Sequence, residues 1–340
     1  MRDSISFIII GLLIILLFLA CMTTGAVEIP FGEIVAYMFG KTPENDIYKT
    51  ILFEARMPMA VTAMFCGMAL SISGLMLQTT FNNPLAGPSI LGVSTGASLG
   101  VALIMLGPAN WMHITSGAAS QISVLIGAIA GAGAIILILI SFSSAVRSPA
   151  MLLIAGIMIG YLASAVVSWL NFFAPAQEVK GYAVWGMGSF MGVTNKQLPL
   201  FVSITTILCA AGLCMAKPLN ALLAGDRYAA SLGYNPRHTR TRILFFSGAL
   251  TAIATAYCGP VGFLGLAVPH IARVVFRTSH HSILLSATLM TGAGTGLLCA
   301  WLCVLPGDKG VLPLSAVTPI VGIPVILYVI IRRKRLFYFN

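Results

Sequence analysis

The sequence is poor in charged residues. Asp, Glu, Lys and Arg make up 8% of its 340 residues, whereas hydrophobic residues make up 58%. A soluble domain carries about 25% charged residues, so this composition excludes a soluble protein and indicates an integral membrane protein. A backbone inside a bilayer must satisfy its own hydrogen bonds, and the long apolar runs predict an all-α fold.

Acidic residues are absent from every predicted span. Carriers driven by protons or sodium ions place carboxylates at membrane depth, so this absence argues against an ion-coupled secondary transporter, the alternative that we keep. The nucleotide-binding signature is missing as well. Gly40-Lys41-Thr42 looks like the end of a phosphate loop, but Val35 stands where its first glycine belongs. The chain is therefore predicted not to hydrolyse ATP, and no catalytic residue is assigned.

Metal-binding and cofactor motifs are also missing. The seven cysteines lie within or at the ends of apolar runs, and no pair has metal-ligand spacing with a histidine. We interpret the cysteines as small core residues and predict neither a metal site nor a cofactor. His280 and His281 lie in a predicted inner loop, where a solvated turn is expected.

Ten apolar runs approach the length of about 20 residues that one membrane span needs. The chain is therefore predicted to be a single transmembrane domain, residues 1–340, with about ten helices. The eighth span is the weakest, because it contains Pro269, His270 and Arg273. The predicted spans are residues 5–27, 58–80, 89–107, 117–142, 150–174, 197–216, 241–259, 262–278, 282–304 and 312–331.

The basic residues are distributed unevenly between the two sides of this membrane. With the N-terminus in the cytoplasm, the inner loops and tails hold 13 of the 19 Lys and Arg residues but only two of the nine acids. The positive-inside rule then predicts both termini in the cytoplasm. The net charge of +10 reflects topology and not a nucleic-acid partner. The basic tail at residues 332–335 is a stop-transfer anchor or a contact for anionic membrane lipid.

The connection after the second span combines a turn with a glycine-faced helix. Pro84 and Pro88 prevent a continuous helix through Phe-Asn-Asn-Pro-Leu-Ala-Gly-Pro. The helix that follows carries Gly92, Gly96 and Gly100, spaced four residues apart. Such a small-residue face lets another helix approach closely, so these glycines are predicted to set helix packing.

The basic loop at residues 217–240 is too long for a simple connector. Between Leu219 and Leu232 it is typical of one or two short amphipathic helices, broken at Gly225 and stopped by Gly233. A hairpin of this kind either lies on lipid or docks in a groove of another protein, and periodicity does not decide between the two. Its predicted apolar face consists of Leu219, Leu222, Leu223, Tyr228, Ala229 and Leu232.

Several motifs in a fixed order resemble the FecCD-type permeases, which belong to type II ABC importers for iron-siderophore complexes, haem and vitamin B12. The resemblance covers about residues 30–335. The motifs are Arg56-Met-Pro with Gly67-Met-Ala-Leu, Phe81-Asn-Asn-Pro-Leu-Ala-Gly-Pro-Ser-Ile-Leu-Gly-Val-Ser-Thr-Gly, Trp185-Gly-Met-Gly-Ser-Phe, Ala230-Ser-Leu-Gly, Gly262-Phe-Leu-Gly-Leu-Ala-Val-Pro-His-Ile-Ala-Arg and Leu312-Pro-Leu-Ser-Ala-Val-Thr-Pro.

The resemblance implies a permease of the bacterial inner membrane. Two copies would enclose the substrate path as a homodimer, with two ATP-binding cassette ATPase subunits beneath and a periplasmic or lipid-anchored substrate-binding protein above. It favours ATPase docking for the 217–240 loop and implies a cytoplasmic gate at Asn83, Leu85 and Ser148, although turn chemistry alone would also explain Asn83. The implied coupling residues are Leu219, Leu222, Leu223, Gly225, Asp226, Ala230, Leu232 and Gly233.

The resemblance also implies that outer basic residues dock the binding protein. Exposed complementary charge steers such docking, and here Arg56 and Lys309 would provide it. The sequence departs from the family pattern at two positions, where Met59 replaces an arginine and Val311 replaces a glutamate. The implied substrate is an iron chelate, either a siderophore complex or haem, and the alternative is vitamin B12.

Overall fold

The computed structural model describes residues 2–27, 29–38, 46–107, 118–145, 148–307 and 310–332. These residues form helices and turns without a strand, which confirms the all-α prediction. Lys309 and residues 333–335 of the basic tail lie outside the described residues. The helices are α1 (Arg2–Thr23), α2 (Phe31–Met38), α3 (Asp46–Thr50), α4 (Met57–Thr80), α5 (Val93–Met105), α6 (Ala118–Ala145), α7 (Pro149–Phe173), α8 (Ala176–Gly186), α9 (Leu198–Cys214), α10 (Ala216–Leu223), α11 (Asp226–Ser231), α12 (Pro236–Cys258), α13 (Leu264–Phe276), α14 (His281–Val304) and α15 (Leu314–Arg332).

Each of the ten predicted spans contains one of these helices. Six helices are long and apolar enough to cross a membrane, and α9 with α10 makes a seventh if this pair, bent by 46°, counts as one span. The other three, α5, α13 and α15, are shorter apolar helices. Helix α5 begins late because the proline-containing turn before it cannot be helical. Helix α13 follows Gly259 and Phe263, both with positive φ.

Helix α4 lies at the centre of the bundle. The most apolar part of its span is 83% buried, and it contacts α9, α12, α13 and α14. The backbones approach closely, because a Cβ at Gly67 would overlap the carbonyl oxygen of Gly292 and one at Gly74 would overlap that of Gly265. Membrane helices associate largely through such packing, so α4 organises the helices around it.

Helices α1 and α7 lie at the edges of the bundle. Only 11% of the α1 span and 22% of the α7 span are buried. Helix α1 exposes aliphatic side chains, including Ile8, Leu12 and Leu16. Hydrocarbon chains of lipid solvate such a surface without cost, whereas the exposed side of α7 is chemically more varied.

The connections gather at two ends of the bundle. One end, here called the basic end, comprises residues 79–88, 148, 216–235 and 277–281, which hydrogen bonds and a shared cavity bring together. At the opposite end, Arg56 contacts residues 22–27 and Asn195 bonds to Phe53.

Candidate functional site

A cavity at the basic end joins residues of the predicted gate and the predicted coupling loop. Its volume is about 700 Å³, and its lining includes Ser148 at the start of α7 and Asp226, Ala230 and Gly233 around α11. Arg240 of α12 donates a hydrogen bond to the Asp226 carboxylate at 2.7 Å, which ties the two helices together. The start of α7 therefore lies beside the second helix of the coupling loop.

The turn between α4 and α5 carries the other two predicted gate residues. The Asn83 side-chain oxygen accepts a hydrogen bond from the backbone N–H of Leu85 at 2.9 Å, as in an Asx turn. Asn82 adopts a φ of +46°, a conformation that asparagine tolerates better than most residues. Local turn chemistry thus accounts for Asn83, whereas the Leu85 side chain is 45% exposed and free to contact another surface.

Polar side chains of α13 form hydrogen bonds with this turn and with the end of α4. Arg273 donates to the Gln78 side-chain oxygen at 2.7 Å, and the Gln78 amide donates to the backbone oxygen of Leu266 at 3.1 Å. His270 Nε2 lies 2.9 Å from the carbonyl oxygen of Pro84, so this nitrogen donates. All three side chains are buried. The polar residues of the weakest predicted span therefore support the turn at the end of α4.

The predicted coupling loop, residues 217–240, includes two short helices, α10 and α11, interrupted at Gly225. Gly225 has a φ of +106° and Gly233 one of +83°, conformations that favour glycine. The apolar face predicted from periodicity packs partly inward, because Leu219, Leu222 and Ala229 are buried in the core of the chain. These residues anchor the loop. Leu223 is half-buried, and the exposed residues of the loop include Asp226, Tyr228, Ala230, Leu232 and Gly233.

Sequence reasoning missed three residues that connect the predicted coupling loop to the end of α4, next to the predicted gate turn. Asn220 of α10 contacts His281 at the start of α14, and His281 contacts Thr79 near the end of α4. His281 is 1% exposed, so the expectation of a solvated turn holds for the exposed His280 but is wrong for His281. No spacing rule could have linked these residues, since 61 and 202 positions separate the two pairs.

Arg56 does not lie on an exposed outer surface. It is 5% exposed, and its guanidinium donates to the carbonyl oxygens of Met22 at 2.6 Å, of Thr23 at 3.1 Å and of Val27. The first two acceptors end α1, where a positive charge also complements the helix dipole. The structure thus corrects the docking prediction: Arg56 is a structural tie between α1 and α4, while Lys309 lies outside the described residues.

The three glycines predicted to set helix packing all lie against backbone. A Cβ at Gly100 would overlap the carbonyl oxygen of Gly127, and one at Gly96 would lie 2.7 Å from that of Gly131, both on α6. Gly92 instead faces α7, where a Cβ would lie 3.0 Å from the carbonyl oxygen of Gly156. Gly96 and Gly100 therefore let α5 pack closely against α6, whereas Gly92, which precedes α5 with a φ of +76°, lies against α7.

No group of three or more His, Cys, Asp or Glu side chains among the described residues is placed to hold a metal ion. At this end, Tyr228 of α11 and Leu85 of the turn after α4 present exposed side chains.

Comparison with known proteins gives a consistent result. The model of the FecCD transport family matches residues 12–332. The vitamin B12 import system permease proteins BtuC of Escherichia coli O9:H4 and Shigella boydii serotype 18 are each 32% identical over 295 residues, which cover 86% of this chain and 86% of each relative. The relative from Shigella flexneri has the same identity and coverage.

A solved structure agrees with this family in fold. It is described as a metal-chelate type ABC transporter in an inward-facing conformation, has a TM-score of 0.83 and 25% sequence identity, and the alignment covers 97% of this chain and 99% of that one. These matches favour an ABC importer over the ion-coupled alternative. The chain therefore belongs to the FecCD transport family and is a multi-pass permease subunit of a bacterial ABC importer of the inner membrane.

Proposed function

We propose that two copies of this chain enclose a path for a bulky metal chelate and that separate ATPase subunits power its import. The observation that carries the proposal is a seam on α7. Its members alternate in spacing between three and four residues, the pattern of helices that pack against a partner. They are Met151, Ile154, Met158, Tyr161, Ala165, Ser168 and Phe172, and each is exposed.

The chemistry of the seam favours a protein or substrate contact over lipid. Tyr161 is 67% exposed and Ser168 is also exposed, whereas α1 presents aliphatic side chains to its surroundings. Polar groups within a span usually face protein or a water-filled cavity. Met151 and Met158 add flexible, polarizable side chains that adapt to large apolar ligands. The α7 helices of two copies would therefore face each other across the path.

A second cavity supports a path for a large ligand at the opposite end of α7. Its volume is about 590 Å³, and Trp169, Phe173 and Glu178 contribute to its lining. Aromatic faces of this kind suit a flat macrocycle. Cobalamin is one candidate, supported by the names of the BtuC relatives, and an iron chelate is the other, supported by the motif resemblance and by the metal-chelate type of the solved structure.

The exposed residues at each end of the bundle are candidates for contacts with partner proteins. Tyr228, Ala230 and Leu232 on and beside α11 would contact an ATPase subunit on the cytoplasmic side, and Leu85 and Ser148 would close the path above it. With Arg56 buried, the exposed lysines at the opposite end, Lys49, Lys180 and Lys196, together with Lys309, are proposed to steer the substrate-binding protein.

Transport in vesicles tests the function. The chain is reconstituted with its ATPase and binding protein, and uptake of radiolabelled cobalamin and of a radiolabelled ferric siderophore is measured separately. We expect uptake of one of them only when ATP and the ATPase are both present. Uptake driven by an ion gradient without the ATPase would overturn the proposal.

Cysteine cross-linking tests the α7 seam. A Cys214→Ser background removes the exposed cysteine, and Tyr161→Cys or Met158→Cys is then added. A bifunctional maleimide long enough to span the path should yield a covalent dimer, because the two α7 helices face each other across it. Leu12→Cys on the lipid-facing side of α1 is the matched control and should stay monomeric. A dimer from Leu12→Cys alone would place the interface on α1 and contradict the proposed α7 interface.

A further inference from the structure

A buried chain of hydrogen bonds runs from the coupling loop to the gate turn. The Asn220 side-chain oxygen of α10 lies 2.9 Å from the backbone N of His281 and 2.9 Å from its Nδ1. His281 Nε2 lies 2.8 Å from the Thr79 hydroxyl on α4. His281 and Thr79 are 1% and 3% exposed, so water does not compete for the bond between them, whereas Asn220 is half-buried.

The proton positions in this hydrogen-bond chain follow from its geometry. The backbone N–H of His281 can only donate, so the Asn220 atom that faces it is the oxygen. The same oxygen faces Nδ1, so Nδ1 also carries a proton and donates. In a neutral imidazole Nε2 is then an acceptor, and the Thr79 hydroxyl donates to it. The Asn220 amide is left to reach His280 Nε2, 3.3 Å away.

The Thr79 hydroxyl has two acceptors within reach. Besides His281 Nε2, it lies 3.0 Å from the carbonyl oxygen of Leu75, one turn earlier in α4. A hydroxyl has one proton, so it bonds either within α4 or across to α14. A small displacement of His281 would decide which of the two acceptors receives the hydroxyl proton.

Thr79 is attached directly to the gate turn. Its carbonyl oxygen accepts from the backbone N–H of Asn82 at 3.2 Å, and the neighbouring carbonyl of Gln78 accepts from Asn83 at 3.0 Å. Leu85 follows in the same turn through its bond to Asn83. A displacement of Thr79 would therefore also displace Asn82 and Asn83, and through Asn83 it would reach Leu85.

We propose that Asn220, His281 and Thr79 are positioning residues that transmit displacement of α10 to the turn at residues 81–85. This inference rests on the proposed function, since an ATPase must move the coupling loop. Helix α10 suits the role because Leu219 and Leu222 anchor it in the core. It then moves with the start of α14 through Asn220 and does not slide past it.

A matched pair of threonines separates this role from plain stability. Thr79 and Thr80 are adjacent, both are 3% exposed, and each hydroxyl lies within hydrogen-bond distance of the carbonyl oxygen four residues earlier. The bond to His281 is recorded for Thr79 only. Thr79→Val and Thr80→Val therefore each remove one buried hydroxyl from α4, but only Thr79→Val interrupts the hydrogen-bond chain from Asn220 to α4.

The experiment uses the whole importer in vesicles and has two measurements. The first is the ATP hydrolysed per substrate molecule taken up. The second is the change in maleimide labelling of Leu85→Cys, in the Cys214→Ser background, when ATP is added. Thr79→Val should raise the ATP cost by about fivefold, the low end of coupling between linked sites, and should blunt the labelling response. Thr79→Ser should restore both.

Asn220→Leu provides a second break in the chain at a half-buried position. It should reproduce the Thr79→Val effect, and the double variant should be no worse than either single variant because both break one connection. Equal behaviour of Thr79→Val and Thr80→Val, with normal Asn220→Leu, would overturn the inference while leaving the proposed function intact. A parent complex without ATP-dependent uptake or labelling change would overturn both.

Discussion

Replacement of Arg56 by methionine should destabilise the folded chain without disturbing the docking of a binding protein. Methionine keeps much of the side-chain volume but removes every donor from the carbonyls of Met22, Thr23 and Val27. A hydrogen bond to a charged group contributes roughly 1.5–3 kcal/mol. Full loss of three such bonds would exceed that, but water can reach the end of α1 once the guanidinium is gone. We therefore expect a cost of about 2–4 kcal/mol.

The buried cysteines provide the assay. Six of the seven thiols are buried and one, Cys214, is exposed, so a thiol-reactive dye reports unfolding in a Cys214→Ser background. A loss of this size should lower the unfolding temperature of a 340-residue chain by roughly 3–6 °C. Arg56→Lys is the matched control: it keeps the charge but cannot reach all three carbonyls, so its shift should be smaller.

Binding-protein affinity distinguishes the two roles of Arg56. A buried side chain contributes nothing to docking directly, so the folded Arg56→Met protein should bind its partner with unchanged affinity at low salt. An unchanged unfolding temperature combined with weakened, less salt-dependent docking would refute the reasoning and return Arg56 to the outer surface.

Three further comparisons test packing, polar burial and ATPase contact. Gly100→Ala should cost about 1–3 kcal/mol because its methyl group meets the α6 backbone, whereas Gly133→Ala, with open space around it, should be neutral or stabilising in the same dye assay. Thr288→Val removes a buried hydroxyl that has no hydrogen-bond partner and should leave the unfolding temperature unchanged or higher, whereas Ser73→Ala breaks bonds of 2.8 and 2.9 Å to α12 and should cost about 1 kcal/mol. Leu232→Glu, at a 54% exposed position, should reduce ATPase co-purification strongly while leaving the unfolding temperature of the isolated permease unchanged.

Features encoded by neighbouring residues could be predicted from the sequence. The break between α4 and α5 follows from Pro84 and Pro88, and the glycine face of α5 follows from a spacing of four residues. The interruption at Gly225 is local in the same sense. In each case the physical cause lies within one turn of the chain, so no knowledge of the tertiary structure is needed.

Features that depend on distant partners could not be predicted. Charge counting placed Arg56 on one side of the membrane but could not show its burial, since its carbonyl acceptors lie 29 to 34 residues away. Periodicity identified the apolar face of the coupling loop, but an apolar face looks the same whether it packs inward or contacts a partner. The prediction of a solvated His281 was wrong for a related reason. A histidine next to a basic turn is typical of a solvated residue, and its burial becomes clear only when its partners on α4 and α10 are known.

The division of the coupling loop bears on how one movement could reach two parts of a gate. Helix α10 is buried on one side and bonded through Asn220 to α14, so its movement would reach the turn that carries Leu85. Helix α11 is exposed, bonded to α12 through Asp226 and Arg240, and separated from Ser148 by the 700 Å³ cavity. A partner that pushes on α11 can close this cavity with little resistance, whereas displacement of α10 must carry packed core residues with it. The start of α7 should therefore respond before the turn after α4, and labelling at Ser148→Cys should change earlier after ATP is added than labelling at Leu85→Cys.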